Sequence, residues 1–347
     1  MTENSELLAV PAFAGLPDDQ ISWFLSQSEE LHLAAGATYL HQGDPALWMF
    51  VILEGQLQGR GEIGGDTVVF SLGPGGVTGV LPFSRMKQVP INGRALTDAR
   101  VLRFPASLFP ELVQNPVPLT NGSGVFSPSL GEFALAAILY FAKDFRRMLC
   151  NQQAERWEQF DVDEISGQTV GIVGYGDIGR AVAARVHAMG MQVLALKRHA
   201  PASPDPLIAR FYKTDELLPM LAECDFVVVT APLTPETHHL ISDAAFAAMK
   251  SSAVVINIGR GPVIDQAAMV RALAAGRIRG AGLDVFEQEP IPPGDPIYKL
   301  ENVLVSPHCA DHTKDWLNQA MRFFLQQYER FANGQPLANV VEKHLGY

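Results

Sequence analysis

Residues 169–179 read TVGIVGYGDIG, and this stretch decides the fold of the larger part of the chain. The apolar run at 170–173 is typical of a buried strand, and the residues after Gly179 have the apolar spacing of a helix. A G-x-G-x-x-G pattern alone also occurs in ordinary turns. Between a strand and a helix, it predicts a dinucleotide-binding turn.

Each residue of this turn has its own expected task. Gly174 would make the tight turn, Gly176 would let a pyrophosphate approach the backbone, and Gly179 would let the helix pack closely on the strand. The N–H groups near Asp177 and Ile178 lie at the expected helix start, where they would face the phosphates.

Composition excludes several classes of protein. The 347 residues carry a net charge of −11, which argues against nucleic acid or an anionic membrane surface as the main partner. The longest apolar stretch, residues 133–142, is too short to span a bilayer, and the first residues lack the basic segment of a signal peptide. Cys150, Cys224 and Cys309 lie far apart, which predicts neither a metal site nor a disulfide framework. We therefore expect a cytoplasmic protein.

Strand-like and helix-like segments alternate from residue 170 onward. The expected strands are residues 170–173, 193–196, 226–230, 254–258, 281–285 and 303–306. A long apolar helix is expected before them, from Leu130 to about Arg147, with Ser129 as its cap. This alternation predicts an α/β fold, a doubly wound Rossmann-type parallel sheet with helices on both faces. Ligands of such sheets bind beyond the carboxyl ends of the strands.

Three strand ends carry side chains that suit one reaction. Arg260 has a planar fork that matches a carboxylate, Glu289 could orient and charge-stabilise a histidine, and His308 could move a proton. Taken singly, each is explained as well by a surface arginine, a loop carboxylate or a structural histidine. Taken together, they indicate a catalytic set.

Residues 118–347 resemble the D-isomer-specific 2-hydroxyacid dehydrogenase family. The matching stretches are GIVGYGDIGRAVA (171–183), TAPLTPETHHLI (230–241), NIGRGPVID (257–265), GAGLDVFEQEP (280–290) and VSPHCA (305–310). The resemblance implies an NAD(P)-dependent oxidoreductase that acts on a 2-hydroxy acid or reduces a 2-keto acid. It also implies a homodimer formed through helices of the cofactor domain.

Carried over residue by residue, the resemblance makes His308 the general acid/base, Glu289 its partner and Arg260 the clamp on the substrate carboxylate. Asp284 matches the residue that contacts the nicotinamide carboxamide. The remaining implied cofactor contacts are at Thr230, Pro232, Thr237 and Ile258.

The end of the second strand departs from the NAD-preferring members of the family. Those members place an aspartate there for the ribose hydroxyls, whereas this chain has Lys197 and Arg198. Two cations attract a 2′-phosphate. We therefore expect NADP to be favoured over NAD.

Residues 1–117 differ from the rest of the chain. After a helix that begins beyond Pro17, short strands are expected at 38–40, 49–53, 57–59, 67–72 and 101–104, with a closing helix at 106–113. These glycine-punctuated strands predict a small antiparallel roll. The stretches AGATYLHQGDPA (35–46) and MFVILEGQL (49–57) lie in an order that resembles the cyclic-nucleotide-binding domain. The resemblance covers residues 16–113 and implies an all-β roll with flanking helices.

A cyclic nucleotide is nevertheless disfavoured as the ligand of this roll. Val77 or Val80 stands where binding members of that family have a ribose-binding glutamate. Residues 89–90 are Val-Pro near the expected phosphate arginine, with Arg85 before and Arg94 after. A buried cyclic phosphate without a charged partner would bind poorly.

The first hundred or so residues of the dehydrogenase family, which form most of its substrate domain, have no counterpart here. The roll occupies their place in the chain, so we expect a half-open cleft at the catalytic set. The sequence therefore leaves three hypotheses open. These are an oxidoreductase with a sensor-like roll, a non-catalytic NAD(P)-binding regulator that uses the roll for a ligand or partner, and an accidental fusion with an impaired enzyme half.

Overall fold

The computed structural model describes residues 2–10, 13, 16–63, 66–80, 88–109, 119–199 and 203–341. The chain divides into two compact units, Met1–Val117 and Pro118–Tyr347, which we call the N-terminal unit and the C-terminal unit. Each unit has its own hydrophobic cores.

The described part of the N-terminal unit is a roll of short strands with helices before it. Its helices are α1 (Asn4–Leu8) and α2 (Asp18–Gln27). Its strands are β1 (Glu29–Leu33), β2 (Thr38–Leu40), β3 (Trp48–Glu54), β4 (Leu57–Ile63), β5 (Asp66–Leu72), β6 (Val77–Gly79), β7 (Asn92–Ala95) and β8 (Ala99–Pro105). They form two antiparallel four-stranded sheets in the orders β1-β8-β3-β6 and β2-β7-β4-β5. The predicted all-β roll is confirmed.

Helix α2 covers one of these sheets because its apolar face carries buried aromatic and aliphatic side chains. Phe24 of α2 stacks on Phe104 of β8 with ring centroids 4.7 Å apart. Ile21, on the same face of α2, is also buried. Burying each side chain of this kind contributes about 1.5–3 kcal/mol.

Some local predictions for this unit were wrong or incomplete. Strands β1, β6 and β7 were missed, because EELHL, VTG and NGRA lack the run of β-branched and aromatic residues by which strands are recognised. Of the closing helix predicted at 106–113, the structure has a 3₁₀ turn at Ala106–Leu108, and residues 110–113 lie outside the described residues.

The C-terminal unit is built on a parallel sheet of seven strands. These are β9 (Thr169–Val173), β10 (Gln192–Leu196), β11 (Arg210–Tyr212), β12 (Phe226–Val229), β13 (Val254–Asn257), β14 (Gly280–Leu283) and β15 (Val303–Val305). Their order is β11-β10-β9-β12-β13-β14-β15. All neighbouring pairs are parallel, so the carboxyl ends lie at one edge. The predicted doubly wound α/β fold is confirmed.

Helices cover both faces of this sheet. The described helices of this unit are α3 (Ser127–Ala142), α4 (Phe145–Gln153), α5 (Asp177–Ala188), α6 (Leu217–Glu223), α7 (Asp243–Ala248), α8 (Gln266–Ala274) and α9 (Trp316–Ala332). Helices α3 and α5 pack with Val228 of β12, whereas α6, α7 and α8 pack with its neighbours Val227 and Val229. The strands are therefore apolar on both faces, as buried parallel strands are.

Three differences from the predicted elements have local causes. The helix predicted from Leu130 to Arg147 ends earlier, because Asp144 takes a left-handed conformation with φ 50° and its carboxylate caps α4 by accepting from Arg147 N. Ser129 does not cap α3, since its hydroxyl donates to Ala310 O at 2.6 Å. Strand β11 was missed because only Arg210–Tyr212 form it.

The two ends of the C-terminal unit pair with each other. Thr120 and Val340 form an antiparallel bridge. Beside it, Val341 N donates to Leu119 O at 2.7 Å and Asn121 N donates to Asn339 O at 3.1 Å. The chain therefore leaves this unit next to the place where it enters.

Within the described ranges, no helix has the length and apolar character needed to cross a bilayer. The same residues include no group of three or more His, Cys, Asp or Glu side chains arranged to hold a metal ion.

Candidate active site

The turn after β9 is held closed by its first and third glycines. Gly174 has φ 99°, and a Cβ added to it would lie 2.6 Å from the backbone of Ala231. A Cβ on Gly179 would lie 2.6 Å from Gly174 O. Thr230 Oγ1 donates to that same carbonyl at 2.5 Å, which fixes the turn to the end of β12.

Gly176 differs from its two neighbours, because a Cβ on it would meet no heavy atom within 4 Å. It precedes Asp177, the first residue of α5, and so lies where the helix presents its unpaired N–H groups. The backbone there is open to an anionic group. The site fits a dinucleotide, because its side-chain-free surface is where a pyrophosphate needs to approach.

The carboxylate of Asp177 turns away from this opening. Asp177 Oδ2 accepts from Gly124 N at 2.7 Å and also from the Ser127 hydroxyl. Asp177 therefore fixes the loop before α3 to the glycine turn, a role that its place in the motif did not indicate.

Arg260 follows β13 in a turn that is held by buried contacts. Asn257, 1% exposed, donates from Nδ2 to Arg260 O at 3.1 Å, and its Oδ1 accepts from Gly259 N at 3.1 Å. Gly261 lies against the backbone of Phe286 and leaves no room for a side chain. The Arg260 turn and the loop that carries Glu289 therefore share a direct backbone contact.

Glu289 and His308, which follow β14 and β15, are brought together. Glu289 Oε2 lies 2.6 Å from His308 Nδ1, while Glu289 Oε1 accepts from Phe286 N at 2.9 Å. Both side chains are one-third exposed, so the pair is open to a small molecule. A carboxylate at this distance favours the charged form of the imidazole.

Asp284 fixes the loop on which His308 lies. It is 1% exposed, and its Oδ1 accepts three hydrogen bonds, from Ser306 Oγ at 2.5 Å, Cys309 N at 2.9 Å and Ala310 N at 3.1 Å. His308 itself has φ 54°, a left-handed conformation that is costly for a residue with a side chain. The buried carboxylate holds the loop in that conformation from both sides.

A second contact between a histidine and a carboxylate, His239 and Glu287, supports the Glu289 loop. Glu287 Oε1 lies 2.9 Å from His239 Nε2 and accepts from Gln266 N at 3.0 Å. Gln266 Oε1 in turn accepts from Glu287 N at 3.2 Å. The loops after β12 and β14 are thereby tied to the start of α8. Spacing along the chain gave no signal for this pair, because its members are 48 residues apart.

The end of β10 carries the two predicted cations. Lys197 Nζ lies 6.0 Å from the centroid of the Tyr175 ring. Arg198 Nη2 lies 3.8 Å from Glu236 Oε2, in the loop after β12. The hydroxyl of Tyr175 donates to Asp205 Oδ2 at 2.9 Å, and burial together with this bond raises the pKa of Tyr175. Sequence analysis singled out neither Glu236 nor Asp205.

The other predicted cofactor residues also lie at this edge of the sheet. Thr237 Oγ1 donates to Pro232 O at 2.6 Å and accepts from Thr234 N at 2.8 Å, which gives the loop after β12 a fixed shape. Ile258 follows β13 and is buried at 2% exposure.

In the N-terminal unit, the structure describes only some of the residues at or near the positions where a cyclic nucleotide would be bound. Arg94 lies on the exposed face of β7, and its Nε donates to Gly36 O at 3.1 Å. Val80 and Val89 are buried apolar residues. Arg85 lies outside the described residues.

Comparison with known proteins agrees with this geometry. Residues 135–310 match the family profile "D-isomer specific 2-hydroxyacid dehydrogenase, NAD binding domain", and residues 30–115 match "Cyclic nucleotide-binding domain". The glyoxylate reductase of Korarchaeum cryptofilum is 35% identical over 244 residues, which cover 68% of this chain and 72% of that protein.

Solved structures show the same relationship. A D-isomer specific 2-hydroxyacid dehydrogenase from Xanthobacter autotrophicus Py2, in complex with NADPH and MES, has a TM-score of 0.62 and 34% identity, covering 68% of this chain and 98% of that chain. An NADPH-dependent glyoxylate/hydroxypyruvate reductase from Sinorhizobium meliloti, in complex with NADP and sulfate, has a TM-score of 0.63 and 29% identity. The match covers 69% of this chain and 77% of that chain. The chain belongs to the D-isomer specific 2-hydroxyacid dehydrogenase family, and it is an NAD(P)-dependent oxidoreductase acting on the CH–OH group of 2-hydroxy acids or on the corresponding 2-keto acids.

Proposed function

We propose that this enzyme interconverts a small 2-keto acid of the glyoxylate or hydroxypyruvate kind and its 2-hydroxy acid, with NADP(H) as the preferred cofactor. The proposal rests on the contact between Glu289 Oε2 and His308 Nδ1, which are 2.6 Å apart. Arg260, Glu289 and His308 follow β13, β14 and β15, three consecutive strands of the sheet. The substrate class is supported by relatives whose names are glyoxylate reductase and glyoxylate/hydroxypyruvate reductase.

Three side chains perform the chemistry in this proposal. Arg260 binds the substrate carboxylate through its guanidinium fork, which places the C2 carbonyl beside His308. His308 uses Nε2 to donate a proton to the C2 oxygen during reduction and to take the hydroxyl proton during oxidation, because Nδ1 is engaged by Glu289. Glu289 stabilises the imidazolium. When bound, the nicotinamide supplies or accepts the hydride at C2.

The cofactor is held by the carboxyl edge of the sheet. The N–H groups near Asp177 and Ile178 face the pyrophosphate across Gly176, while Gly174 and Gly179 keep the turn closed. We assign the further contacts to Thr230, Pro232, Thr237, Ile258 and Asp284. The bonds that Asp284 makes to the His308 loop give it a positioning role as well.

Preference for NADP(H) rests on Lys197 and Arg198, which occupy the position where a carboxylate would repel a 2′-phosphate. Dissociation constants for NADPH and NADH test it, and tighter binding of NADH would refute the preference.

We further propose that the substrate domain usual in this family is mostly missing and that the N-terminal roll, residues 1–117, replaces it in the chain. We also propose that the enzyme is a cytoplasmic homodimer and that it binds neither nucleic acid nor a membrane. The cyclic-nucleotide-binding match at residues 30–115 favours an additional, regulatory role for the roll, in which it binds a ligand or partner.

The decisive experiment follows the loss of NADPH absorbance with glyoxylate, hydroxypyruvate and pyruvate, beside His308→Ala and Glu289→Gln variants. We expect turnover that falls by about 10²–10⁴ in His308→Ala, the usual contribution of a general acid. NADPH binding should be retained in both variants. NADPH binding without turnover of any of the three keto acids by the unmodified enzyme would refute the proposed substrate class.

A further inference from the structure

The ion pair between Arg198 and Glu236 crosses the proposed cofactor site. Arg198 follows β10 and Glu236 follows β12, and these two strands flank β9 in the sheet. Their side chains approach to 3.8 Å on the carboxyl side of β9, the side on which the glycine turn lies. The pair therefore joins the two walls of the crevice in which the adenosine end of a dinucleotide binds.

Glu236 is held in this position by more than Arg198. Its Oε2 accepts from Thr234 Oγ1 at 2.8 Å, and Thr234 is 9% exposed in a loop braced by Thr237. The bond from Thr234, a hydrogen bond from the backbone of Glu236 and, to a smaller extent, the charge of Arg198 hold the pKa of Glu236 below its ordinary value. Glu236 thus presents a fixed negative charge to whatever enters between the two loops.

We propose that Glu236 is a specificity-determining residue that limits the preference for NADP(H) over NAD(H). The inference builds on the proposed function, because it assigns Arg198 to the adenosine ribose. A 2′-phosphate must take Arg198 from Glu236 and come close to a carboxylate of like charge. A ribose with a free 2′-hydroxyl can instead donate to that carboxylate, as it does to the acidic residue of NAD-binding folds.

Glu236 accordingly supplies, from the loop after β12, the carboxylate that the end of β10 lacks. The site then holds one group for each cofactor. Its selectivity depends on the attraction of Arg198 for the 2′-phosphate relative to the bond of Glu236 with the 2′-hydroxyl. The preference for NADP(H) should therefore be weaker than in a site that has cations alone.

The test is the ratio of the dissociation constants for NADPH and NADH, measured by fluorescence titration of the full chain. In Glu236→Gln we expect NADPH to bind about two- to fivefold more tightly and NADH no more tightly than before. The Arg198→Ala variant has no guanidinium for Glu236 to hold, so adding Glu236→Gln to it should tighten NADPH binding less than in the unmodified enzyme. The effects of the two substitutions on the dissociation constant for NADPH should therefore be non-additive. High salt should reduce the gain, because both groups are exposed to solvent.

Asp243→Asn is the matched control. Asp243 is 70% exposed against 71% for Glu236 and also pairs with an arginine, Arg271, but that pair joins α7 to α8. This variant should leave the ratio unchanged, which separates a local effect from a change in net charge.

The outcomes for the two proposals are distinct. If the unmodified enzyme prefers NADH, the proposed NADP preference is wrong, yet a ratio that shifts in Glu236→Gln still supports the role of Glu236. The role of Glu236 would be overturned if Glu236→Gln changed the dissociation constants of both cofactors equally. It would also be overturned if the ratio shifted as much in the Arg198→Ala background as in the unmodified enzyme. If neither NADPH nor NADH binds, both proposals are refuted.

Discussion

Gly261 lies so close to the backbone carbonyl of Phe286 that a methyl group does not fit between them. This contact joins the turn that carries Arg260 to the loop that carries Glu289. Two groups proposed to act on the same substrate are therefore positioned against each other by main chain.

We expect Gly261→Ala to destabilise the C-terminal unit by about 1–3 kcal/mol or more, because the clash is with backbone and overpacking is costly. Turnover should fall as well, since Arg260 and Glu289 are both displaced. Urea unfolding and steady-state rates measure the two effects. Gly73→Ala, at a glycine whose added Cβ would meet nothing within 4 Å, is the control and should be close to neutral.

Gly176→Ala should show the opposite pattern. A Cβ at Gly176 meets nothing within 4 Å, so the melting temperature should stay unchanged. The methyl group would occupy the surface that a pyrophosphate approaches, and we expect NADPH affinity to fall at least about tenfold. Unchanged affinity would show that the pyrophosphate does not approach this residue.

His239 should matter to the rate without contacting the substrate. Its bond to Glu287 supports the loop of Glu289, and a misplaced catalytic group can cost up to about 10² in rate. We expect His239→Ala to lower kcat about tenfold while the dissociation constant for NADPH stays near its original value. His238→Ala is the matched control, because it removes the neighbouring stacked imidazole and keeps the pair. Equal losses in the two variants would contradict this role.

The three thiols should differ sharply in reactivity. Cys150 and Cys309 are exposed, whereas burial raises the pKa of Cys224 to about 12. Almost no thiolate forms at Cys224 near neutral pH, and the thiolate is the reactive form. Mass spectrometry after alkylation of the native protein should find Cys224 unmodified, and unfolding should expose it. Rapid labelling of native Cys224 would contradict the observed packing of α6 on the sheet.

We expect the proposed homodimer to form through α4. Phe145, Met148 and Leu149 of α4 are exposed, and Trp157 beyond it is 95% exposed. Solvent-exposed apolar side chains grouped in this way indicate an interaction surface. We expect Leu149→Asp to convert a dimer to a monomer in analytical ultracentrifugation. Phe324→Asp, on the exposed apolar side of α9, is the comparison, and dissociation by this variant alone would place the interface there.

The sequence predicted those parts of the molecule that depend on local pattern. Alternating segments specified the parallel sheet, and the strand ends led to Arg260, Glu289 and His308 because parallel strands end at one edge. The break at Asp144 was missed, since it depends on one residue taking a left-handed conformation inside an apolar run. Arg198–Glu236 and His239–Glu287 were missed because each joins loops that are distant along the chain, and no spacing records such a pair.

The pairing of Thr120 with Val340 has a mechanical consequence for the C-terminal unit. A force applied through the segments at its two ends acts first on the antiparallel pairing of residues 119–121 with residues 339–341, and only then on the sheet. We therefore expect the loops that carry the proposed catalytic side chains to be shielded from tension in the chain. The same adjacency suits the unit to circular permutation, since a short linker could join residues 119 and 341 and new ends could be opened elsewhere on the surface.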